Sequence, residues 1–124
     1  MEMKVETLIY DRVRSIIPNK SSKTVFFASV SETGYEVFFY AFIDGQPVQC
    51  FELAEKDLLD ENELDAIFAD IVDIIKQSKV YHSDKNNIAT IIIDKFGVNI
   101  DVEYMDRDAR MYGIKKEWKQ KMIL

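Results

Sequence analysis

The sequence predicts an α+β domain: an antiparallel sheet of about five strands packed with three helices, in the order α-β-β-β-α-β-β-α. Three observations predict it. Runs rich in β-branched and aromatic residues are joined by short turn sequences, as in hairpins. Two other segments repeat their apolar residues every three or four positions, as amphipathic helices do. A last, highly charged segment carries Met111, Ile114 and Trp118 at comparable spacing.

The first helix is expected over residues 4–17, where Val5, Leu8, Ile9, Val13 and Ile16 make one apolar stripe. Pro18 ends it, because the residue before a proline resists helical angles. Strands follow at 24–30 and 35–43, joined by Ser31-Glu-Thr-Gly34. Asp44-Gly45 supplies the positive φ angles of a tight hairpin, and a short third strand is expected over 48–53. Asp60 caps the middle helix, with Glu63 completing an approximate capping box. Leu64, Ile67, Phe68, Ile71, Ile74 and Ile75 form that helix's buried stripe, which ends near Gln77. Residues 78–87 read as a polar loop.

A second hairpin comes next. Residues 88–93 are almost wholly apolar, and Asp94-Lys-Phe-Gly97 is the turn. Val98, Ile100, Val102 and Tyr104 then alternate with Asn99, Asp101 and Glu103, a strand with one wet face. The last helix is expected over 106–121, although Gly113 within it is a weak helix former.

A chain of 124 residues suits one domain spanning 1–124, and 48% hydrophobic residues exclude a disordered tail. Cys50 is the only cysteine, so no intrachain disulfide forms and a reducing compartment is expected. The first six residues lack the apolar core of a signal peptide, and no apolar run approaches a membrane span. A cytoplasmic protein is therefore expected. The net charge of −6 disfavours nucleic acid and anionic membranes as partners and favours a basic protein. The same charge also simply maintains solubility.

Residues for catalysis are scarce. His82 is the only histidine and sits in the polar loop beside Asp84, a poor basis for acid–base or metal chemistry. Cys50 lies in the expected third strand with nothing nearby to lower its pKa. The four glycines are scattered and form no phosphate-cradling loop. Carboxylates are numerous enough for a hydrolytic pair, but number alone does not place two together. Arg107, Arg110, Lys115, Lys116, Lys119 and Lys121 in the last helix complement its dipole and match no nucleic-acid motif. No catalytic residue, metal or cofactor is expected.

Two features go further. Glu52, Glu55, Asp57, Asp60, Glu61, Glu63, Asp65, Asp70 and Asp73 fall in one stretch with only Lys56 against them. Acids near a helix N-terminus are stabilising in themselves, and a focused negative patch also steers a basic partner; both readings stand. The strand Tyr35-Glu-Val-Phe-Phe-Tyr-Ala-Phe-Ile43 is apolar on both faces. Both must be covered, by the protein's own helices or by a partner.

The order of elements and several stretches resemble the YezG-like immunity proteins, bacterial antitoxins that neutralise secreted polymorphic toxins. Tyr10-Asp-Arg-Val-Arg-Ser-Ile-Ile-Pro18 is similar to the family's first helix and its closing apolar-Pro step. Gly34-Tyr-Glu-Val-Phe-Phe-Tyr40 resembles its aromatic second strand, and residues 64–75 its long middle helix. Phe96-Gly-Val-Asn-Ile-Asp-Val-Glu-Tyr-Met-Asp106 resembles its last hairpin strand, and Glu117-Trp-Lys-Gln-Lys-Met-Ile-Leu124 its ending. The chain departs from the pattern at 19–23 and at Asn86-Asn87, where the family often has a Trp.

The resemblance implies a stoichiometric inhibitor whose partner is a cognate protein toxin, with a basic nuclease domain the expected class. Glu52, Glu55, Asp57, Asp60, Glu61 and Asp65 are then the expected charge contacts, with Tyr40 and Tyr104 as aromatic anchors. A general protein-interaction domain without a toxin partner is the alternative. A small carboxylate-dependent hydrolase is a third reading.

Overall fold

The computed structural model describes residues 4–124. The chain runs α1 (Val5–Val13), β1 (Ser21–Val30), β2 (Tyr35–Ile43), β3 (Gln46–Gln49), α2 (Cys50–Glu55), α3 (Glu61–Lys76), β4 (Asn86–Asp94), β5 (Gly97–Met105) and α4 (Met111–Met122). All five strands join one antiparallel sheet in the order β3-β2-β1-β4-β5. The α+β class and the five strands match the expectation. The helices number four among the described residues, not three.

The extra helix replaces part of the expected third strand. β3 is only Gln46–Gln49, and the chain then coils into α2. Cys50 and Leu53, three residues apart, are both buried, so this short apolar run satisfies a helix as well as a strand. The first helix is also shorter than expected. After Val13 the backbone tightens, with Ile16 N–H donating to Val13 O at 2.9 Å, yet Ile16 stays buried. Asp60 caps α3 as expected, accepting from Asn62 N–H at 2.9 Å. Glu63 does not complete a capping box; its carboxylate accepts from the Ser15 hydroxyl at 3.1 Å. Asp44 and Gly45 have φ of 52° and 77°, the left-handed pair that a two-residue hairpin between Ile43 and Gln46 needs.

Side-chain alternation sorts the sheet into two faces. On one, Phe26, Phe39 and Ile91 are fully buried, and Phe39 meets Phe68 of α3 edge-on at 6.3 Å. Ile9 and Val13 of α1 join this layer, with α1 beside α3 and over β5. On the other face, Trp118 of α4 packs edge-on to Phe27 at 5.2 Å and to Phe38 at 5.6 Å. Its indole N–H donates to Thr90 Oγ1 at 2.9 Å. The protein's own helices therefore cover both apolar faces of β2.

Buried polar groups are paired. Ser29 donates to Asn86 Oδ1 at 2.8 Å. Asn87 is fully buried; its amide reaches the carbonyls of Val30, His82 and Lys85, and its Oδ1 accepts from His82 N–H. This one side chain ties the loop after α3 to the sheet.

Replacing Trp118 with Ala removes the centre of the α4 layer. We expect a loss of about 3–5 kcal/mol in urea unfolding, typical for truncating a buried aromatic. A loss under about 1 kcal/mol would mean that α4 is not integral to the core.

Candidate functional site

The acidic stretch runs from α2 through residues 56–60 and along α3, with its first members at the corner between the two helices. α2 packs on β2 and β3, and its C-terminus is closed by two reverse hydrogen bonds. Leu58 N–H donates to Leu53 O at 3.0 Å and Asp57 N–H to Ala54 O at 3.1 Å, around Asp57 at φ 58°. This is a Schellman closure, and it sets a carboxylate where glycine is the usual residue.

The corner separates the acids by role. Asp70 pairs with Arg12 of α1, and Glu63 takes the Ser15 hydroxyl; both hold α1 against α3. Asp60 is the α3 cap, and Glu52 pairs with Lys56 one turn on at 3.4 Å. Glu55, Asp57, Glu61, Asp65 and Asp73 are exposed and make no ion pair among the described residues, and Glu55, Glu61 and Asp65 flank the α2–α3 connection. Glu61 and Asp65 are one turn apart, on a different flank of α3 from Glu63 and Asp70. All six expected charge contacts are thus at the surface.

The two expected aromatic anchors part company. Tyr40 is a correction: it lies on the sheet face under α4, is only 9% exposed, and packs against Trp118. The aromatic run of β2 gives no sign of which ring its neighbours cover; α4 covers this one. Tyr104 remains exposed on β5, its hydroxyl donating to Val80 O and its ring 4.3 Å from that of His82.

Opposite the acidic corner, across the sheet, α4 and the loop before it carry the basic residues. Lys115 pairs with Glu36 at 2.9 Å, Arg107 with Glu32 at 3.1 Å, and Lys119 lies over the Tyr40 ring. The basic charge is thereby used partly in fixing α4 to β2 and its preceding turn.

Two clefts flank β5, a strand that the sequence marks only by its one wet face. Between β5 and α4 lies a cleft of about 430 Å³, lined by Asp101, Glu103, Glu117, Lys121 and Trp118 among others. On the opposite face is one of about 850 Å³, whose apolar lining includes Val5, Leu8, Ile74, Val80, Ile100 and Val102.

Neither a protein-family model nor a curated protein sequence matches this chain. Among the described residues, no group of three or more His, Cys, Asp or Glu side chains is arranged to hold a metal ion. No helix among them is long and apolar enough to cross a membrane. Cys50, expected in a strand, is instead the first residue of α2 and is fully buried. Burial raises its thiol pKa, against the smaller lowering effect of hydrogen bonds from the backbone.

Two predictions follow from this corner and its buried thiol. Asp57→Gly relieves a left-handed residue and should stabilise the fold by roughly 0.5–1 kcal/mol, read as a raised denaturation midpoint. A lowered midpoint would contradict the Schellman assignment. Cys50 ionises more readily unfolded than folded, so its contribution is intact below the ordinary thiol value of 9.0 and lost as pH rises above it. The stability of the wild type should therefore fall more steeply above that pH than that of Cys50→Ala. Parallel pH profiles would show that burial does not govern the thiol.

Proposed function

We propose that this protein is an immunity protein: a stoichiometric inhibitor that binds a cognate toxin, with a basic nuclease domain the favoured class, and is not an enzyme. The observation that carries the reading is the exposed trio Glu55, Glu61 and Asp65, which stands at the α2–α3 corner with no ion-pair partner among the described residues. A nuclease grips phosphates through clustered lysines and arginines. A carboxylate cluster draws that same surface in and excludes the anionic substrate by occupying it. The family resemblance of the sequence supports the toxin as the partner, and cytoplasmic residence fits a chain whose single cysteine is buried.

Mechanism then divides into two stages. Long-range attraction between the acidic corner and a basic surface accelerates encounter and weakens with salt. Short-range packing, to which the exposed Tyr104 ring is suited, slows release.

The test is titration calorimetry against the toxin domain encoded directly beside this gene, at low and high salt, with toxin activity measured in parallel. One-to-one binding that inhibits the toxin and weakens with salt is expected. Glu55→Lys, Glu61→Lys and Asp65→Lys together should weaken binding by about a hundredfold or more and flatten its salt dependence. Unchanged affinity in that variant would remove the acidic corner from the mechanism. Absence of any toxin neighbour would favour a general interaction domain instead.

A further inference from the structure

The two edges of the sheet are unequal. β3 is a four-residue edge that contains Pro47, a combination that discourages further pairing. β5 is a nine-residue edge with neither proline nor lysine. The β4–β5 ladder closes on the Asp94–Gly97 pair across a two-residue turn and keeps one register to Asn86–Met105. Hydrogen-bonded pairs alternate along such a ladder, so the N–H and C=O groups of Val98, Ile100, Val102 and Tyr104 point away from β4. Among the described residues, no hydrogen bond from elsewhere meets those groups.

The surroundings of this open edge differ between the faces. The outward-pointing residues Val98, Ile100 and Val102 lie on the α1/α3 face, beside the larger, mostly apolar cleft. Asp101 and Glu103 lie on the α4 face, where Glu117 adds a third carboxylate and Lys121 is the single cation lining the cleft. An incoming strand would thus meet a largely apolar wall, which also holds Lys4, Glu6 and Lys79, on one side and a net negative one on the other.

We propose that β5 is a docking strand for an extended segment of a partner protein that alternates basic with apolar residues. The segment adds a sixth strand to the sheet. Its apolar residues enter the cleft formed by α1, α3 and β5, and its Lys or Arg residues meet Asp101, Glu103 and Glu117. A second copy of this chain meets its own charge in two of the three central registers. Antiparallel pairing centred on Asp101 sets it against its own copy, and pairing centred on Val102 sets Asp101 against Glu103 twice; both oppose like charges. This inference goes beyond the inhibitor reading and holds whether or not the partner is a toxin.

The test uses the full chain, isotopically labelled, and synthetic seven-residue peptides as probes. One alternates Lys with Val and Ile, a second replaces each Lys with Glu, and a third is the Lys peptide N-methylated along one hydrogen-bonding edge. The Lys peptide should slow amide exchange at Val98, Ile100, Val102 and Tyr104 by about tenfold or more, an effect that added salt reduces. The Glu and N-methylated peptides should leave those amides unprotected. Asp101→Lys with Glu103→Lys should reverse the preference toward the Glu peptide. Equal protection by all three peptides would overturn the proposal, as would spectral changes confined to Glu55, Glu61 and Asp65. Concentration-dependent protection of the same amides without peptide would assign the edge to a second copy and also overturn it.

Discussion

A strand buried on both faces needs a neighbour along each edge and a layer over each side, and β1 is such a strand. Seven consecutive residues of it, 24–30, are buried. Its backbone groups are met by β2 on one side and β4 on the other, which fixes it at the centre of the sheet. Phe26 and Phe27 then point to opposite faces, and each requires its own cover. α1 and α3 supply one layer and α4 the other. The polar residues within β1 are tolerated because each finds a partner: Thr24 meets the Ser21 hydroxyl at 2.9 Å, and Ser29 meets Asn86.

That demand for two layers also sorts the charge. α3 carries five acids of the acidic stretch and must lie on one face; α4 carries clustered bases and must lie on the other. The sheet therefore stands between them, and the two sets do not neutralise each other by direct contact. α4 is held partly by Lys115–Glu36, and the loop leading into it by Arg107–Glu32, pairs made with β2 and the turn before it. Each is exposed enough to contribute little stability, so the larger share of α4 docking falls to Trp118. Charge distribution here is a consequence of layer order as much as of composition.

What the sequence made legible follows the strength of its periodic signals. β2 and α3 are legible almost to the residue because nine and sixteen residues of consistent pattern leave little ambiguity. α2 is not legible because six residues carry too few turns to distinguish a helix from a strand. The acids were legible as a cluster, but their division was not. Glu63 and Asp70 serve α1 only because α1 packs alongside α3, a tertiary fact. Tyr40 and Tyr104 look alike in sequence; only the docking of α4 buries one and leaves the other exposed. The clefts beside β5 were likewise invisible, since they are formed with helices distant along the chain.

The acidic corner carries local costs that intrinsic helix stability does not explain. Asp57 occupies a left-handed position that glycine fills with less strain. Glu61 and Asp65 are like charges one turn apart, a pairing that costs a helix about 0.2–0.5 kcal/mol. The helix dipole favours Glu61 and Glu63 in the first turn of α3, but its effect fades before Asp65. Within the stretch, Lys56 offsets Glu52 alone by direct pairing. The free chain thus holds carboxylates at Asp57 and Asp65, positions where a neutral residue would fold at least as well. A cationic surface set against this corner converts the repulsion of Glu61 and Asp65 into attraction, and each carboxylate unpaired in the free protein gains most from it.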